Sequence, residues 1–336
     1  MFEPSNDRLP VSLLTGFLGS GKTTLLNRLL QHPDMSKAAV VINEFGDIAL
    51  DQHFIESSDG EVTVLANGCL CCDVQGDLQG VVGTLFGKRG RGEVPAFDRM
   101  LIETTGLADP APIMQMLLNQ PLVVDNFRLD AVVTTVDAVH GMRQLREHPE
   151  AVKQAALADR LVVTKTDLAP AADVDALVHR LARLNARAPV LQAQDRGIAP
   201  SQLFGADAED LAHDRTFDAG DAHVHLDGVA TFSLTIDEPV QWSGFSRWLT
   251  AFKIRHADQL LRVKGILNVA GVEEPVAIHG VHHVFHPPVR LPRRPDRDPR
   301  SRIVFITRGL SREEVAADWL RASGNTRAAI QAECEP

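Results

Sequence analysis

The sequence predicts a doubly wound, mostly parallel α/β sheet followed by a smaller α+β domain, and three observations carry that expectation. From the start of the chain to about residue 205, short continuous apolar runs alternate with helical patterns, as expected of strands buried on both faces of a parallel sheet. A G-x-x-x-x-G-K-T segment, Gly16 to Thr23, stands between the apolar run 11–15 and a helical run that opens at Lys22. Residues 207–227 are rich in Asp, Ala, Gly and His and poor in apolar side chains, which marks a linker. The expected boundaries are 1–205 for the first domain, 206–227 for the linker and 228–336 for the second domain, in keeping with a chain of 336 residues.

Taken in order, the strands expected in the first domain are 11–15, 38–42, 62–65, 99–103, 129–136, 160–164 and 190–193. Helical spacing places Leu25, Leu26, Leu29 and Leu30 on one face of a helix over 22–32 that Pro33 stops. Further helices are expected at 73–86 and 174–186. In the second domain, 229–236 alternates as a half-buried strand, and 242–255 brings Phe245, Trp248, Leu249 and Phe252 to one helical face. Strands follow at 260–269 and 276–285, then a Pro/Arg-rich loop over 287–300 and a strand at 302–307. Ser311 with Glu314 three residues on forms a capping box that opens the last helix.

Composition excludes several classes of function. With 44% hydrophobic and 23% charged residues the chain is ordinary for a globular protein. A net charge of -10 argues against nucleic acid or an anionic membrane as the main partner. No apolar run approaches the ~20 residues that span a bilayer, and residues 1–7 lack the basic and apolar regions of a secretory signal. Three of the 4 cysteines fall within Cys69-Leu70-Cys71-Cys72, which is no disulfide framework. The expected location is the cytoplasm.

The Gly16–Thr23 segment has the sequence and context of a phosphate-binding loop. Gly16, Gly19 and Gly21 let the backbone curl around a phosphate, and Ser20, Thr23 and Thr24 lie at the helix start, whose N–H groups favour anions. Lys22 would reach the terminal phosphates and Thr23 would hold Mg2+. After the second strand, Asn43-Glu44-Phe45-Gly46-Asp47 lies where nucleotide hydrolases keep a loop that senses the terminal phosphate. Asp47 would complete the magnesium shell, and Glu44 would serve magnesium or a second metal; a solvated acidic turn is the alternative. The fourth strand ends in Glu103-Thr104-Thr105-Gly106, a spacing that suits an acid holding Mg2+ through water and a glycine N–H meeting the terminal phosphate.

The sixth strand runs into Thr164-Lys165-Thr166-Asp167. Asp167 can accept from the ring N–H and exocyclic amine of guanine, and Lys165 would lay its stem over the purine, which favours GTP. Thr164 stands where such motifs usually carry Asn, so part of the base contact is reduced. Cys69, Cys71 and Cys72 suit a soft or borderline metal completed by an outside ligand. A C-x-x-C redox pair or plain packing are the other readings.

Together, Gly-Phe-Leu-Gly-Ser-Gly-Lys-Thr-Thr, Asn-Glu-Phe-Gly-Asp, Gly-Cys-Leu-Cys-Cys, Glu-Thr-Thr-Gly-Leu-Ala-Asp-Pro and Thr-Lys-Thr-Asp, in this order, resemble the CobW-like family of metal-handling phosphate-loop GTPases. These are relatives of the urease and hydrogenase nickel-insertion GTPases. The resemblance extends into the second domain through Leu261-Arg262-Val263-Lys264-Gly265-Ile266-Leu267 and Ile278-His279-Gly280-Val281-His282. It implies slow hydrolysis of GTP to GDP, coupled to delivery of a transition metal to a client metalloprotein or cofactor-biosynthesis enzyme; thiolate chemistry favours zinc, cobalt(II) or copper(I), with zinc or cobalt the expected cargo. It also implies that Cys69, Cys71 and Cys72, helped by Glu44, form the cargo site. A metal-binding regulator or storage protein whose nucleotide only tunes affinity is the competing function; a kinase or ATPase with a redox dithiol is disfavoured by Thr-Lys-Thr-Asp. Among the histidines, His223 and His225 lie in the linker. On a continuous strand, His279 and His283 would share one face and His282 and His286 the other, offering a second metal site, a client contact or a surface role.

Overall fold

Residues 8–43, 63–64, 70–73, 78–193, 198–205, 228–291 and 298–323 are described by the computed structural model. They fall in two compact units that divide the chain after Ala206.

The first unit opens with β1 (Leu9–Gly16), whose last six residues are all buried, and turns into α1 (Lys22–Leu30). There follow β2 (Ala38–Asn43), β3 (Thr63–Val64), β4 (Leu70–Asp73), α2 (Leu78–Gly90), β5 (Arg99–Thr104), α3 (Ala111–Asn119), α4 (Pro121–Val124) and β6 (Phe127–Asp137). The unit closes with α5 (Gly141–Glu147), α6 (Pro149–Leu157), β7 (Arg160–Thr164), α7 (Ala171–Leu184), β8 (Val190–Gln192) and α8 (Pro200–Leu203). The strands form one sheet in the order β3-β4-β2-β5-β1-β6-β7-β8. Every neighbouring pair is parallel except β3 with β4.

The apolar runs explain this arrangement. On one face, Leu25, Leu26, Leu29 and Leu30 of α1 pack with Leu14, Val40, Ile42, Leu101 and Val133. Leu13, Ile102 and Val132 belong to the alternate set along the same strands and are just as fully buried, so both faces are covered. Strand order reverses about β1: the chain first builds outward to β2 and β4, then returns to β5 and continues through β6, β7 and β8. Ligands of such sheets bind at the carboxyl ends of the strands beside this reversal.

The expected strands appear within one or two residues, and the differences are informative. Residues 70–73, where no strand was expected, are a strand parallel to β2; Leu-Cys-Cys-Asp has neither alternation nor β-branched residues to announce one. Of the 62–65 strand, Thr63–Val64 are described, and they run antiparallel to β4. Asp73, expected to open a helix, instead closes β4, and the helix is described from Leu78 onward.

The second unit comprises β9 (Val229–Ile236), α9 (Trp242–Arg255), β10 (Leu260–Leu267), β11 (Val276–Val281), β12 (Val284–Phe285), β13 (Val289–Arg290), β14 (Ser301–Arg308) and α10 (Arg312–Ser323). Its sheet runs β12-β11-β10-β14-β9, all antiparallel, with β13 pairing β11. Alternate residues of β9 (Ala230, Phe232, Leu234, Ile236) meet Phe245, Trp248 and Phe252 of α9 and Val315 and Trp319 of α10 in one aromatic-rich core. The capping box forms as expected: the Ser311 N–H donates to Glu314 Oε2 (2.8 Å) and the Glu314 N–H to Ser311 Oγ (3.2 Å).

The 276–285 strand is broken. Val281 pairs with Val284 across a two-residue turn, with His282 at φ 51°. His279 and His283 therefore do not share a strand face, nor do His282 and His286, and the expected pairings fail. Among the described residues, no helix is long and apolar enough to cross a membrane.

Candidate nucleotide-binding edge

Parallel pairing brings the ends of four strands to one edge. Leu14 stands level with Glu103, Gly16 with Thr135, and Asp137 with Thr164. The loop after β1 therefore meets the loops after β5, β6 and β7.

The phosphate-type loop is fixed from below by short hydroxyl side chains. Ser20 and Thr135 share a hydrogen bond of 2.7 Å, Thr135 Oγ1 donates to Thr15 O (3.3 Å), and Thr104 Oγ1 donates to Thr15 Oγ1 (2.9 Å). This packing leaves no space at Gly16, where a Cβ would lie 2.3 Å from Thr135 Oγ1 and 2.5 Å from Thr135 O. Gly21 precedes α1 at φ 87°, a left-handed conformation that side chains oppose. Thr24 is exposed on the first turn of α1 and Gly19 is exposed at the crest of the loop.

Lys22 arches back over this loop, its Nζ donating to Gly16 O (3.1 Å) and Phe17 O (3.4 Å). Thr23 Oγ1 donates to Glu103 Oε1 (2.7 Å), and Glu103 is only 6% exposed. Two residues 80 positions apart, each singled out for magnesium, are thus in contact. A hydroxyl and a carboxylate oxygen are hard donors of the kind Mg2+ takes, so the residues present fit the ion. Gly106 lies against the loop as well: a Cβ there would come within 2.7 Å of Leu18 Cα and N.

On the base side, Thr164 is buried and its hydroxyl donates to Ser20 O (2.7 Å). The residue that replaces the usual Asn therefore ties β7 to the phosphate-type loop. Lys165 takes a left-handed conformation at φ 55°, and Asp167 is exposed in the following turn. Lys165 Nζ binds Asp137 Oδ2 at 2.7 Å. Asp137, which sequence reasoning missed, also accepts from the Val139 N–H (2.8 Å) and shares a hydrogen bond with His140 Nδ1 (3.1 Å). Burial works to raise its carboxyl, but hydrogen bonds from Lys165, His140 and Val139 and the charge of Lys165 hold it below the usual carboxylate range. The signal that could have found it was an acid closing a long apolar strand.

The remaining metal candidates divide differently. Glu44, Asp47 and Cys69 lie outside the described residues, as do His223 and His225. Cys71 and Cys72 lie in β4, level with Val40 and Val41 of β2. Among the described residues, no group of three or more His, Cys, Asp or Glu is arranged to hold a metal ion.

Comparison with known proteins places the chain in a family. Residues 10–192 match the family described as CobW/HypB/UreG, nucleotide-binding domain, and residues 229–323 match the cobalamin synthesis protein cobW C-terminal domain. The zinc chaperone YjiA of Escherichia coli is 35% identical over 312 residues, covering 92% of this chain and 97% of that protein. The zinc chaperone CobW of Pseudomonas aeruginosa is 29% identical, covering 92% and 90%. The crystal structure of Zn(II)-bound YjiA GTPase from E. coli superposes with a TM-score of 0.75 at 34% identity, covering 94% of this chain and 99% of that one. A Zn(II)-bound triple mutant of the same GTPase, with one Glu and two Cys changed to Ala, superposes with a TM-score of 0.76.

Proposed function

Because this chain belongs to the CobW/HypB/UreG family and is a GTPase, we propose that it is a cytoplasmic metallochaperone whose GTP cycle governs delivery of zinc or cobalt(II) to a client metalloprotein or cofactor-biosynthesis enzyme. In this reading residues 1–205 bind nucleotide, residues 206–227 link, and residues 228–336 form the smaller domain.

The contact between Thr23 and Glu103 carries the reading. It joins the start of α1 to the end of β5, where a triphosphate hydrolase needs a metal-holding hydroxyl and an acid. Gly16, Gly19, Ser20, Gly21, Lys22, Thr23 and Thr24 cradle the phosphates. Thr164, Lys165 and Asp167 form the base side, and Gly106 offers its N–H to the terminal phosphate. Thr23, Glu103 and Asp47 would hold Mg2+, which neutralises phosphate charge when bound. Cys69, Cys71 and Cys72 with Glu44 form the cargo site. Two strand positions of that site, Cys71 and Cys72, lie in β4 beside β2, and β2 is itself paired to the strand bearing Glu103. A loop that answers to the terminal phosphate could thereby set the affinity of the thiolates.

Nucleotide-linked metal affinity is the test. The wild type is expected to bind Zn2+ more tightly with a non-hydrolysable GTP analogue than with GDP, and replacing Cys69, Cys71 and Cys72 with Ser should erase that difference. Since the neighbouring triple mutant is itself Zn(II)-bound, the difference between nucleotides is the decisive quantity, not total zinc. A difference that survives the triple replacement overturns the cargo assignment.

A further inference from the structure

One helix is bonded to the loops on both sides of the proposed phosphate site, and it does so with residues that no motif contains. α6 is an apolar helix in which Ala151, Val152, Ala155, Ala156 and Leu157 are all buried. Among them stands Gln154, 1% exposed. A carboxamide in such a place costs more than Leu or Met would unless its hydrogen bonds are made.

Gln154 Nε2 donates to two carbonyls of the loop after β5, Gly106 O (3.2 Å) and Ala108 O (2.9 Å). The neighbouring Lys153 Nζ binds Asp109 Oδ2 (2.6 Å), while Asp109 Oδ1 accepts from the Ala111 N–H (2.9 Å) at the start of α3. At the head of the same helix, His148 stacks on Phe17 of the phosphate-type loop with ring centroids 4.6 Å apart. From below, Thr134 Oγ1 of β6 donates to Gln154 O (2.9 Å). Gln154 Oε1 is buried and has no hydrogen-bond partner among the described residues, so the amide retains capacity for one more donor.

We propose that Gln154 is a positioning residue for GTP hydrolysis: from α6 it holds the Gly106–Ala108 loop in register with the phosphate-type loop. This rests on the reading of Gly106 as the terminal-phosphate contact. The side chain touches no substrate; it fixes the carbonyls on one side of the loop, so that the loop's N–H groups remain aimed at the phosphate edge.

The test compares the full-length wild type with Gln154→Met, which keeps length and apolar packing, and Gln154→Glu, which keeps shape but cannot donate when ionised. Three quantities are measured: single-turnover GTP hydrolysis, GDP affinity, and hydrogen exchange of the amides of the 105–110 loop that precede Pro110. Both variants are expected to hydrolyse GTP about tenfold more slowly, to keep GDP affinity within about twofold, and to exchange faster over 105–110. Unchanged hydrolysis with unchanged exchange overturns the proposal, as does a parallel loss of hydrolysis, GDP affinity and thermal stability, which marks a merely structural residue. If the wild type itself fails to turn over GTP, the reading of the site fails instead. The exchange measurement then still decides whether Gln154 holds the loop.

Discussion

In the first unit one set of buried polar side chains gathers at one edge of the sheet, whereas in the second a buried acid joins helix to helix. Thr15, Ser20, Glu103, Thr104, Thr135, Asp137 and Thr164 all lie at or beyond the carboxyl ends of parallel strands. They bind backbone and each other, and they surround the loop between β1 and α1, which is exposed at Leu18 and Gly19. In the second unit the most heavily bonded buried acid is Asp318 of α10. It accepts from Trp248 Nε1 (3.0 Å), from both Nη atoms of Arg255 (2.9 and 2.8 Å) and from Arg321 (3.2 Å). That cluster fastens α10 to α9 above the aromatic core. The difference teaches where chemistry is to be sought: polar groups arranged around an accessible backbone serve a ligand, and polar groups that consume one another serve the fold.

The sharpest way to break this comparison is Glu103→Gln. The substitution keeps the length of the side chain and an acceptor for Thr23, but removes the charge proposed to hold magnesium. GTP hydrolysis is expected to fall by about a hundredfold or more, as when a preorganised charge is deleted from a reacting centre. Thermal stability should hardly change. A variant with normal turnover and a lowered melting temperature would place Glu103 with the fold-serving groups.

Asp318→Asn is the complementary change. It removes a carboxylate that hydrogen bonds to two arginines and an indole, and should cost about 2 kcal/mol of stability while leaving hydrolysis per folded molecule intact. Burial works to raise the Asp318 carboxyl, but hydrogen bonds from Arg255, Trp248 and Arg321 together with the Arg255 charge hold it below its usual value. A depressed folded-state value means that the stabilisation is complete at neutral pH. It is lost as the pH falls from about 4 through that lower value. The gap between wild type and Asp318→Asn in chemical denaturation should therefore narrow in acid. A gap that is constant from pH 7 to pH 3 would show that the charge contributes nothing.

How much of this could be read from the chain follows the same division. The phosphate-type loop, Glu103, Gly106 and the capping box at Ser311 were legible because each is a local pattern with a local cause. Phe245, Trp248 and Phe252 were legible from helical spacing. Gln154 was not, because the carbonyls it binds are 46 and 48 residues away and no local spacing encodes such contacts; Asp137 carried only the weak signal of an acid closing an apolar strand, and its bond to Lys165 spans 28 residues. The strand containing Cys71 and Cys72 was missed for another reason: its pairing with β2 supplies the order that Leu-Cys-Cys-Asp does not supply for itself. The turn at His282 was missed because a β-type run was taken as unbroken, where His-His occupies a two-residue hairpin loop that usually contains Gly or Asn.

Thr164 offers the finest discrimination, because the sequence suggests one role and the structure another. By residue type it stands in a base-recognition motif, with a hydroxyl in place of the usual amide. In the fold its hydroxyl donates to Ser20 O and lies 3.4 Å from Val136 O. Thr164→Ala would leave the Ser20 carbonyl short of a buried donor, at a cost of about 1–2 kcal/mol. The expected result is a weakening of GTP and GDP by the same factor, about tenfold, with the preference for guanine over adenine nucleotides unchanged. Thr164→Ser should restore binding, since the hydroxyl is what the loop uses. Asp167→Ala should behave in the opposite way and reduce the guanine preference, because its exposed carboxylate is not tied to the loop. If Thr164→Ala also erased the guanine preference, the division between loop support and base reading would be wrong. The comparison would then have to be redrawn within the first unit, between β1 and β7.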